Sequence, residues 1–387
     1  MSDTTMTEEK PKKKIGMAKP PLPAWMDYGV LPLVNILFAL FISGIIIWLI
    51  GINPFEALEW LIIGSLGGSY ELGYTLYYTT NFIFTGLAVA IAFHANLFNI
   101  GGEGQAYIGG LGVGLLILAV DQYLPFWMIL PLAIMASAAF GAAWASVPAY
   151  LQAYRGSHIV ITTIMFNFIA SALMTYLLVD VMRGKGQMSP ESREFAEAGH
   201  LPFMHEFMAN FGFDLASTPL NVTFFWALTC CVFLWLFIWR TRWGYELRSV
   251  GANEPAAVYA GVNPRRIVMM AMLISGGLAG FVGMNEIMGV HHKILLNFVS
   301  GYGFTGIAVS LMGRNHPVGI ILASLLFGIL YQGGAELAFE YSEFTREMVV
   351  TIQGLIILFC GALAYMTKPF VANIYYAITL SKNGKEA

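Results

Sequence analysis

Residues 267–289 read IVMMAMLISGGLAGFVGMNEIMG, a run of 23 residues in which Glu286 carries the only charge. The hydrocarbon core of a bilayer is about 30 Å thick, and a helix that crosses it needs roughly 20 mostly apolar residues. The run therefore predicts a transmembrane helix. Within it, Gly276 and Gly280 form a small-xxx-small pattern that lets a second helix approach closely, so we assign both glycines to helix packing.

The composition of the whole chain agrees with a membrane location. Of 387 residues, 57% are hydrophobic and 11% are charged, and the mean hydropathy is +0.67. An ordinary soluble domain carries about 25% charged residues. The net charge of −3 gives no reason to expect a nucleic-acid partner. Cys230, Cys231 and Cys360 lie in apolar runs without metal-ligand spacing, so no metal site is expected. We predict an all-α, polytopic transmembrane helical bundle.

Apolar runs of suitable length recur along the chain. We place candidate spans at 29–51, 72–94, 105–121, 126–150, 158–181, 221–240, 267–289, 299–313, 317–334 and 347–367. Three of these, 105–121, 299–313 and 317–334, are short enough to be tilted, broken or half-length helices, so eight to ten spans are expected. The amphipathic segment 54–66 is interpreted as a helix lying at the membrane interface.

The distribution of Lys and Arg predicts the orientation. If ten spans alternate from a cytoplasmic N-terminus, then Arg183, Lys185, Arg193, Lys293 and Arg346 lie outside, and the remaining 15 of the 20 Lys and Arg residues lie inside. Cytoplasmic loops carry an excess of these residues, so both termini are predicted to be cytoplasmic. This divides the chain into a basic N-terminal tail (1–27), a transmembrane domain (28–370) and a C-terminal tail (371–387).

A polar, glycine-rich stretch interrupts the apolar pattern after the second span. Residues 98–105 read FNIGGEGQ, and non-helical backbone at membrane depth is tolerated only where protein or a water-filled cavity satisfies it. Discontinuous helices of this kind line substrate sites in transporters, and a carboxylate inside a span is costly, so Glu103 is expected to face a cavity or a partner. The alternative is a cytoplasmic turn in which Glu103 caps the next helix. Asn167, inside the 158–181 span, is expected to be hydrogen-bonded in the bundle.

A second informative stretch lies between inside-facing arginines. Residues 251–261 read GANEPAAVYAG, in which Asn253 can cap a short helix, Pro255 lies near its start and Gly261 can end it. A short helix of small residues in a cytoplasmic loop can insert into a groove on another protein. The alternative is an ordinary interfacial helix. Asn285 and Glu286, near the outer end of their span, either line a mouth or lie among lipid headgroups.

Several functions find no support in the sequence. The chain lacks the phosphate-binding pattern G-x-x-x-x-G-K-[ST] and the HExxH, GxSxG and CxxC signatures. No catalytic residue is assigned, the chain is expected to bind no cofactor, and a membrane-bound enzyme is unsupported. An ion-coupled secondary transporter remains an alternative. It would need deep carboxylates, for which Glu103 and Glu286 are the candidates.

The interrupted stretches together resemble a known family. FNIGGEGQ, TTIMFNFIA (162–170), GANEPAAVYAGVN (251–263), SGGLAGFVG (275–283) and GYGFTGIAVSLMGRNHPVG (301–319) are similar to the permease subunits of bacterial ABC importers. The likeness covers about residues 30–370 and is strongest to the simple-sugar and nucleoside branch, which is related to the ribose and branched-chain amino acid permeases. One departure is His158, where family members often have a glutamate.

The resemblance implies a function and a set of partners. It implies the permease subunit of an importer that moves a nucleoside or simple-sugar-like solute by alternating access in the bacterial inner membrane. Two ATPase subunits would use the ATP, beside a second permease, possibly a different chain, and an external binding protein. The residues that would form the translocation pathway are Asn99, Glu103, Gln105 and Asn167. The residues that would couple the chain to the ATPase are Arg248, Gly251, Asn253, Glu254, Pro255, Ala256, Tyr259 and Gly261.

Overall fold

The structure, a computed structural model, describes residues 23, 25–184, 186–341, 345–361, 368–373 and 375. The predicted tails lie outside these residues, apart from 23, 25–27, 371–373 and 375. The α-helices found in the described ranges are α1 (Leu31–Ile50), α2 (Pro54–Leu66), α3 (Ser69–His94), α4 (Gly102–Val120), α5 (Phe126–Arg155), α6 (Ile159–Tyr176), α7 (Met204–Ala209), α8 (Thr223–Arg240), α9 (Arg242–Ala252), α10 (Glu254–Tyr259), α11 (Pro264–Gly283), α12 (Tyr302–Met312), α13 (Pro317–Glu340) and α14 (Arg346–Gly361). Two π-helical segments, Leu177–Val181 and Met284–His291, continue α6 and α11. The predicted all-α bundle is confirmed.

One combination of residues starts several of these helices. A polar residue precedes a proline that occupies one of the first helical positions, and its side chain accepts a backbone N–H of the first turn. Asn53 does so at α2, Asn263 at α11 and His316 at α13. Proline fits there because the first N–H groups of a helix lack intrahelical partners. The chain therefore encodes these helix starts locally.

The described residues contain fewer candidate spans than ten, and residues 362–367 of the span predicted at 347–367 lie outside them. Seven helices in the described ranges are long and apolar enough to cross a membrane, and α1 with α2 makes an eighth if this pair, bent by 116°, counts as one span. The count therefore lies at or below the lower end of the predicted range. The segment predicted at 299–313 contains an 11-residue helix, α12, too short to cross a bilayer alone. By contrast, the segment at 317–334 is part of a 24-residue helix, α13, of full length.

The ends of the helices define two faces of the bundle. One, which we call the α9 face, gathers the end of α3, the end of α8 and the turn between α12 and α13 beside α9. There the Nε2 atom of His94 lies 3.1 Å from the carbonyl oxygen of Asn315, and the His94 ring contacts that of Trp239 with centroids 5.3 Å apart. Gly251 of α9 packs on the His94 carbonyl so closely that a Cβ atom would overlap it.

The opposite face carries ion pairs between loops and helix ends. Arg193 donates to both carboxylate oxygens of Asp121 at 2.8 Å, and Lys293 lies 2.9 Å from Glu191. The guanidinium holds the pKa of the Asp121 carboxyl below its usual value, and Asp121 in turn raises that of Arg193. Arg193 and Lys293, which the charge pattern assigns to the outside, thus lie on the face away from α9.

The centre of the bundle is α3, packed among α8, α11, α12 and α13. Residues without side chains let α4, α5 and α11 approach one another. A Cβ atom on Gly276 would overlap the Gly141 carbonyl oxygen of α5, and one on Gly280 would overlap that of Ser137. The backbone of Gly109 on α4 contacts the other side of Gly280. Such close approach adds van der Waals contact where the hydrophobic effect between helices is weak.

Candidate functional site

The polar stretch after α3 turns back into the bundle. Asn99 donates through Nδ2 to the Ser275 hydroxyl (2.8 Å), which donates to the carbonyl oxygen of Ala88 (2.5 Å). Ala88 lies six residues before the end of α3 at His94, which at 1.5 Å per residue is about 9 Å along the helix axis. Asn99 is fully buried. Residues 98–101 are therefore non-helical backbone inside the bundle, and α4 begins at Gly102.

Side chains of the stretch satisfy its own backbone. Asn99 Oδ1 accepts the N–H of Gly101 (2.9 Å), and the Asn99 and Gln105 amides pair with each other at 3.0 and 3.2 Å. From α6, Asn167 donates to the carbonyl oxygen of Ile100 (2.9 Å) and accepts from the N–H of Gly104 (2.9 Å). These amides hold a chain reversal that water cannot solvate. Their placement accounts for polar residues at this depth.

Glu103 caps a helix distant in sequence. Its Oε1 accepts the N–H of Gly301 (2.9 Å) and its Oε2 accepts that of Gly303 (2.8 Å), at the start of α12. The first N–H groups of a helix lack intrahelical partners and favour a negative charge. Gly303 packs so tightly on the backbone of Glu103 that a Cβ atom would overlap it. The carboxylate thus fixes where the half-length helix begins.

A cavity of about 250 Å³ adjoins this cap. Its lining includes Glu103, Gly104, Tyr107, Asn167, Ser300 and Gly301. Of the four predicted pathway residues, Glu103 and Asn167 therefore line the same cavity. Asn99 and Gln105 lie behind it, with 0% and 1% of their surface exposed.

A second cavity, of about 270 Å³, lies on the other side of the segment before α12 and shares Asn297 and Ser300 with the first. We call it the tyrosine cavity. Its lining includes Tyr77, Tyr78, Glu286, His291, Tyr302 and Tyr331. The tyrosines come from three helices, α3, α12 and α13. Sequence reasoning missed all four, although Tyr77 and Tyr78 lie in a conspicuously polar part of α3, YTLYYTTN (74–81).

Glu286 anchors a buried polar network beside the tyrosine cavity. Its Oε1 accepts from the Tyr77 hydroxyl and from Asn81 Nδ2, both at 2.6 Å, and Glu286 is 2% exposed. Asn81 is the thirteenth of the 26 residues of α3 and accepts from Asn285 Nδ2 (2.9 Å). The sequence left open whether Glu286 lines a mouth or lies among lipid headgroups. The structure places it in the lining of the tyrosine cavity. The carboxylate lies opposite the middle of α3.

The network continues from Asn285 to α8. Asn285 Oδ1 accepts from Asn221 Nδ2 (2.9 Å) and from the Thr223 hydroxyl (2.6 Å). Gly289 lies against Asn221 so closely that a Cβ atom would overlap its amide nitrogen. A chain of side-chain hydrogen bonds therefore joins α3, the π-helical end of α11 and the start of α8. Two members of this network, Tyr77 and Glu286, line the tyrosine cavity.

The stretch after α9 folds as its sequence predicts. Asn253 accepts the N–H of Ala256 (3.1 Å), Pro255 lies at the start of α10, and Gly261 follows its end with a φ of +83°. Asn253, Glu254, Pro255, Ala256 and Tyr259 are exposed, and Tyr259 reaches 95%. Arg248 and Gly251 are instead partly buried, and Gly251 packs on the end of α3. The six-residue helix α10 is thus presented outward on the α9 face.

A third cavity, about 420 Å³, opens on the opposite face. Its lining includes Glu197, His200, Phe203, Glu206 of α7 and His292. The rings of His200 and His292 stack with centroids 3.8 Å apart. Burial and then the neighbouring His200 lower the pKa of His292. This cavity shares no lining residue with the tyrosine cavity.

Comparison with known proteins identifies the family. The chain matches the family described as branched-chain amino acid transport system, permease component, over residues 71–361. The glucose ABC transporter permease protein TsgB13 of Haloferax volcanii is 31% identical over 366 residues, 95% of this chain and 94% of that protein. The guanosine ABC transporter permease protein NupP of Bacillus subtilis is 35% identical over 338 residues, which are 87% of this chain and 94% of that protein. The nucleoside ABC transporter permease protein NupB of Lactococcus lactis is 30% identical over 336 residues, which are 85% of this chain and 90% of that protein.

These relatives are transport proteins and not enzymes, and the helices of this chain fit a multi-pass translocation subunit. The match extends from α3 through α14 and so includes both interior cavities and the α9–α10 stretch. The chain belongs to the family of branched-chain amino acid transport system permease components.

Proposed function

We propose that this chain is the permease subunit of an ABC importer that moves a nucleoside or a simple-sugar-like solute across the bacterial inner membrane by alternating access. The observation that carries this proposal is near full-length similarity to permease proteins named for guanosine, nucleosides and glucose. Two cavities inside the bundle, on either side of the start of a half-length helix, support it, because discontinuous helices line the substrate sites of transporters.

The chain works with other subunits. It carries no phosphate-binding loop, so two partner ATPase subunits use the ATP, and this chain binds no cofactor. A second permease, of the same or a different sequence, completes the pathway, and an external binding protein delivers the solute. Both termini are cytoplasmic in this proposal, on the side of the α9 face. The pathway residues are those around the two cavities, with Asn99, Gln105 and Asn167 supporting the broken backbone.

The ATPase docks on α10. The exposed residues Glu254, Pro255, Ala256 and Tyr259 offer a short convex surface suited to a groove. Arg248 and Gly251 serve this contact indirectly, because Gly251 seats α9 on the end of α3. Motion of α10 would thereby reach the helix that carries Tyr77 and Asn81.

The test is charge reversal at this surface. Glu254→Arg places a cation on the docking helix and should reduce both co-purification of the ATPase and ATP-dependent uptake into proteoliposomes, by roughly tenfold or more, as expected when charge complementarity is lost at an interface. Glu194→Arg, an exposed position on the opposite face, is the matched control for ATPase binding. Uptake by the purified chain without any ATPase would contradict the proposal.

The relatives do not favour an ion-coupled secondary transporter. Both carboxylates on which that alternative depends are engaged by protein donors, Glu103 by two backbone N–H groups and Glu286 by Tyr77 and Asn81. Uptake that persists after collapse of the proton gradient, with ATP held constant, is the expected result.

A further inference from the structure

The tyrosine cavity has walls suited to a flat ring. Tyr78 and Tyr331 are only partly buried, and their ring centroids are 4.9 Å apart at an interplanar angle of 51°. Tyr302 lies 6.2 Å from Tyr331, and Phe82 supports both from behind at 5.6 and 5.7 Å. Tyrosines that served only as core would fill their space. These rings instead surround about 270 Å³, near the lower end of ligand pockets, which begin at about 300 Å³.

One polar group in this wall can receive hydrogen bonds from a solute. The Oε1 atom of Glu286 already accepts from Tyr77 and Asn81, which fix the orientation of the carboxylate. Its Oε2 atom lies 3.4 Å from Nε2 of His291, and both residues line the cavity. An ionised carboxylate accepts only, with about four lone-pair sites on its two oxygens. Glu286 therefore selects a solute that carries N–H or O–H donors.

The charge of the residues that line the tyrosine cavity also restricts which solutes can bind there. Among the lining residues that the structure describes there is no Lys or Arg, while Glu286 is an acid held at 2% exposure. Lys293, close by in sequence, is paired with Glu191 on the surface. A phosphate group brought next to this carboxylate would meet a like charge, with His291 as the one described lining residue that can carry a positive charge and with that ring already beside Glu286. Such an approach is unfavourable where water is excluded.

We propose that the tyrosine cavity is the solute site of this permease and that it takes an uncharged nucleoside, with the base against Tyr78 and Tyr331 and a ring or exocyclic N–H donating to Glu286. The site admits nucleosides and rejects their phosphate esters. This inference rests on the proposed function and narrows it, because the relatives are named for both nucleosides and glucose. A hexose has donors but no planar π surface for the two tyrosines.

The test has two arms. ATP-dependent uptake of radiolabelled guanosine is measured with the complete importer in proteoliposomes. The half-saturating concentration and the competition are measured as direct binding of guanosine to the permease–ATPase complex without the external binding protein, with uridine, glucose and guanosine monophosphate as competitors. Wild type should take up guanosine with ATP, and uridine should compete while glucose and the monophosphate do not. Tyr331→Leu should raise the half-saturating guanosine concentration by roughly tenfold, since base–aromatic stacking is lost. Tyr331→Phe should remain close to wild type, because it keeps the ring.

Glu286→Gln distinguishes recognition from folding. The amide keeps an acceptor for Tyr77 and Asn81 but removes the negative charge, so guanosine binding to the permease–ATPase complex should weaken roughly tenfold, as for a lost hydrogen bond to a charged group. In the same variant, guanosine monophosphate should become a competitor, an effect that a merely unstable protein would not produce. Tyr176→Leu and Glu59→Gln, at exposed positions on α6 and α2, are the matched controls.

The results separate the two proposals. If wild type shows ATP-dependent uptake but Tyr331→Leu and Glu286→Gln change neither the half-saturating concentration nor the competition by the monophosphate, the tyrosine cavity is not the solute site, and the permease function stands. Glucose competing as well as uridine overturns the choice of nucleoside. Absence of ATP-dependent uptake of any of these probes by the intact wild-type importer counts against the proposed function itself.

Discussion

Removing the Glu103 side chain should loosen the start of α12. Its two carboxylate oxygens accept the N–H groups of Gly301 and Gly303 at 2.9 and 2.8 Å. Both amides lie in the first turn of the helix, where no intrahelical carbonyl is available. Glu103→Ala removes both acceptors at once. Glu103→Gln keeps one carbonyl oxygen and places an NH₂ group where the second acceptor stood.

The magnitude follows from the number of donors left without a partner. A buried donor that loses its acceptor costs about 1–3 kcal/mol, so Glu103→Ala should destabilise this turn by about 2–6 kcal/mol and Glu103→Gln by about half as much. At 1.4 kcal/mol per factor of ten, local opening should become roughly 30-fold to 20,000-fold more frequent in the alanine variant. The partial positive charge at the helix start adds up to about 2 kcal/mol when its anion is lost.

Hydrogen–deuterium exchange of the permease in detergent, read by mass spectrometry on a peptide that covers 299–306, measures this opening directly. The alanine variant should exchange fastest, the glutamine variant should be intermediate, and Glu59→Ala, at an exposed position on α2, should match wild type. Unchanged exchange at Gly301 and Gly303 in a folded Glu103→Ala protein would refute the idea that this carboxylate caps α12.

Two further substitutions test the packing of the glycine-lined helices and the ion pair between Asp121 and Arg193. Gly280→Ala should lower the stability of the bundle by about 1–3 kcal/mol, because its Cβ would overlap the Ser137 carbonyl; thermal unfolding in detergent measures this, and Gly354→Ala, which has open space, should not. Asp121→Asn should lower stability at pH 7 by about 1 kcal/mol or less, since Arg193 is 43% exposed. The pKa of Asp121 is lowered by Arg193, so the stabilisation is present above the unfolded value near 3.9 and is lost as pH falls through the folded value. Below about pH 4 wild type should therefore approach the variant, and an identical pH dependence of the two from pH 7 to 3 would contradict this assignment.

The fold was largely predictable from composition and helix starts. The lengths of the apolar runs predicted a helical membrane bundle. Asn253, Pro255 and Gly261 predicted where α10 begins and ends. The number of spans was not predictable, because length alone does not tell whether an apolar run such as 299–313 crosses the bilayer. Only the distant partner of α12, Glu103, explains why that helix can begin inside the bundle.

The site was predictable in part. The FNIGGEGQ stretch was recognised because glycines and polar side chains interrupt an apolar run. The tyrosine cavity was missed because its rings come from α3, α12 and α13, which meet only in three dimensions. A tyrosine in a membrane helix is compatible with lipid, core or cavity, and its sequence neighbours do not distinguish these. The polar residues of α3 between Tyr74 and Asn81 were the available signal.

Glu103 and Glu286 show why depth alone cannot assign a role to a carboxylate in a membrane. In sequence, each is an acid in or beside an apolar run, and burial would be unfavourable for either unless it were paired. Both Glu103 oxygens are taken by backbone donors of the same bundle, whereas Glu286 has one oxygen fixed by Tyr77 and Asn81 and another beside the tyrosine cavity. A change at Glu103 should therefore slow the uptake of every solute by the same factor. A change at Glu286 should alter the ratio of rates between two solutes, such as guanosine and uridine, whose donors differ. The ratio of the two uptake rates, measured in one competition experiment, therefore distinguishes a residue that stabilises a helix from a residue that contacts the solute.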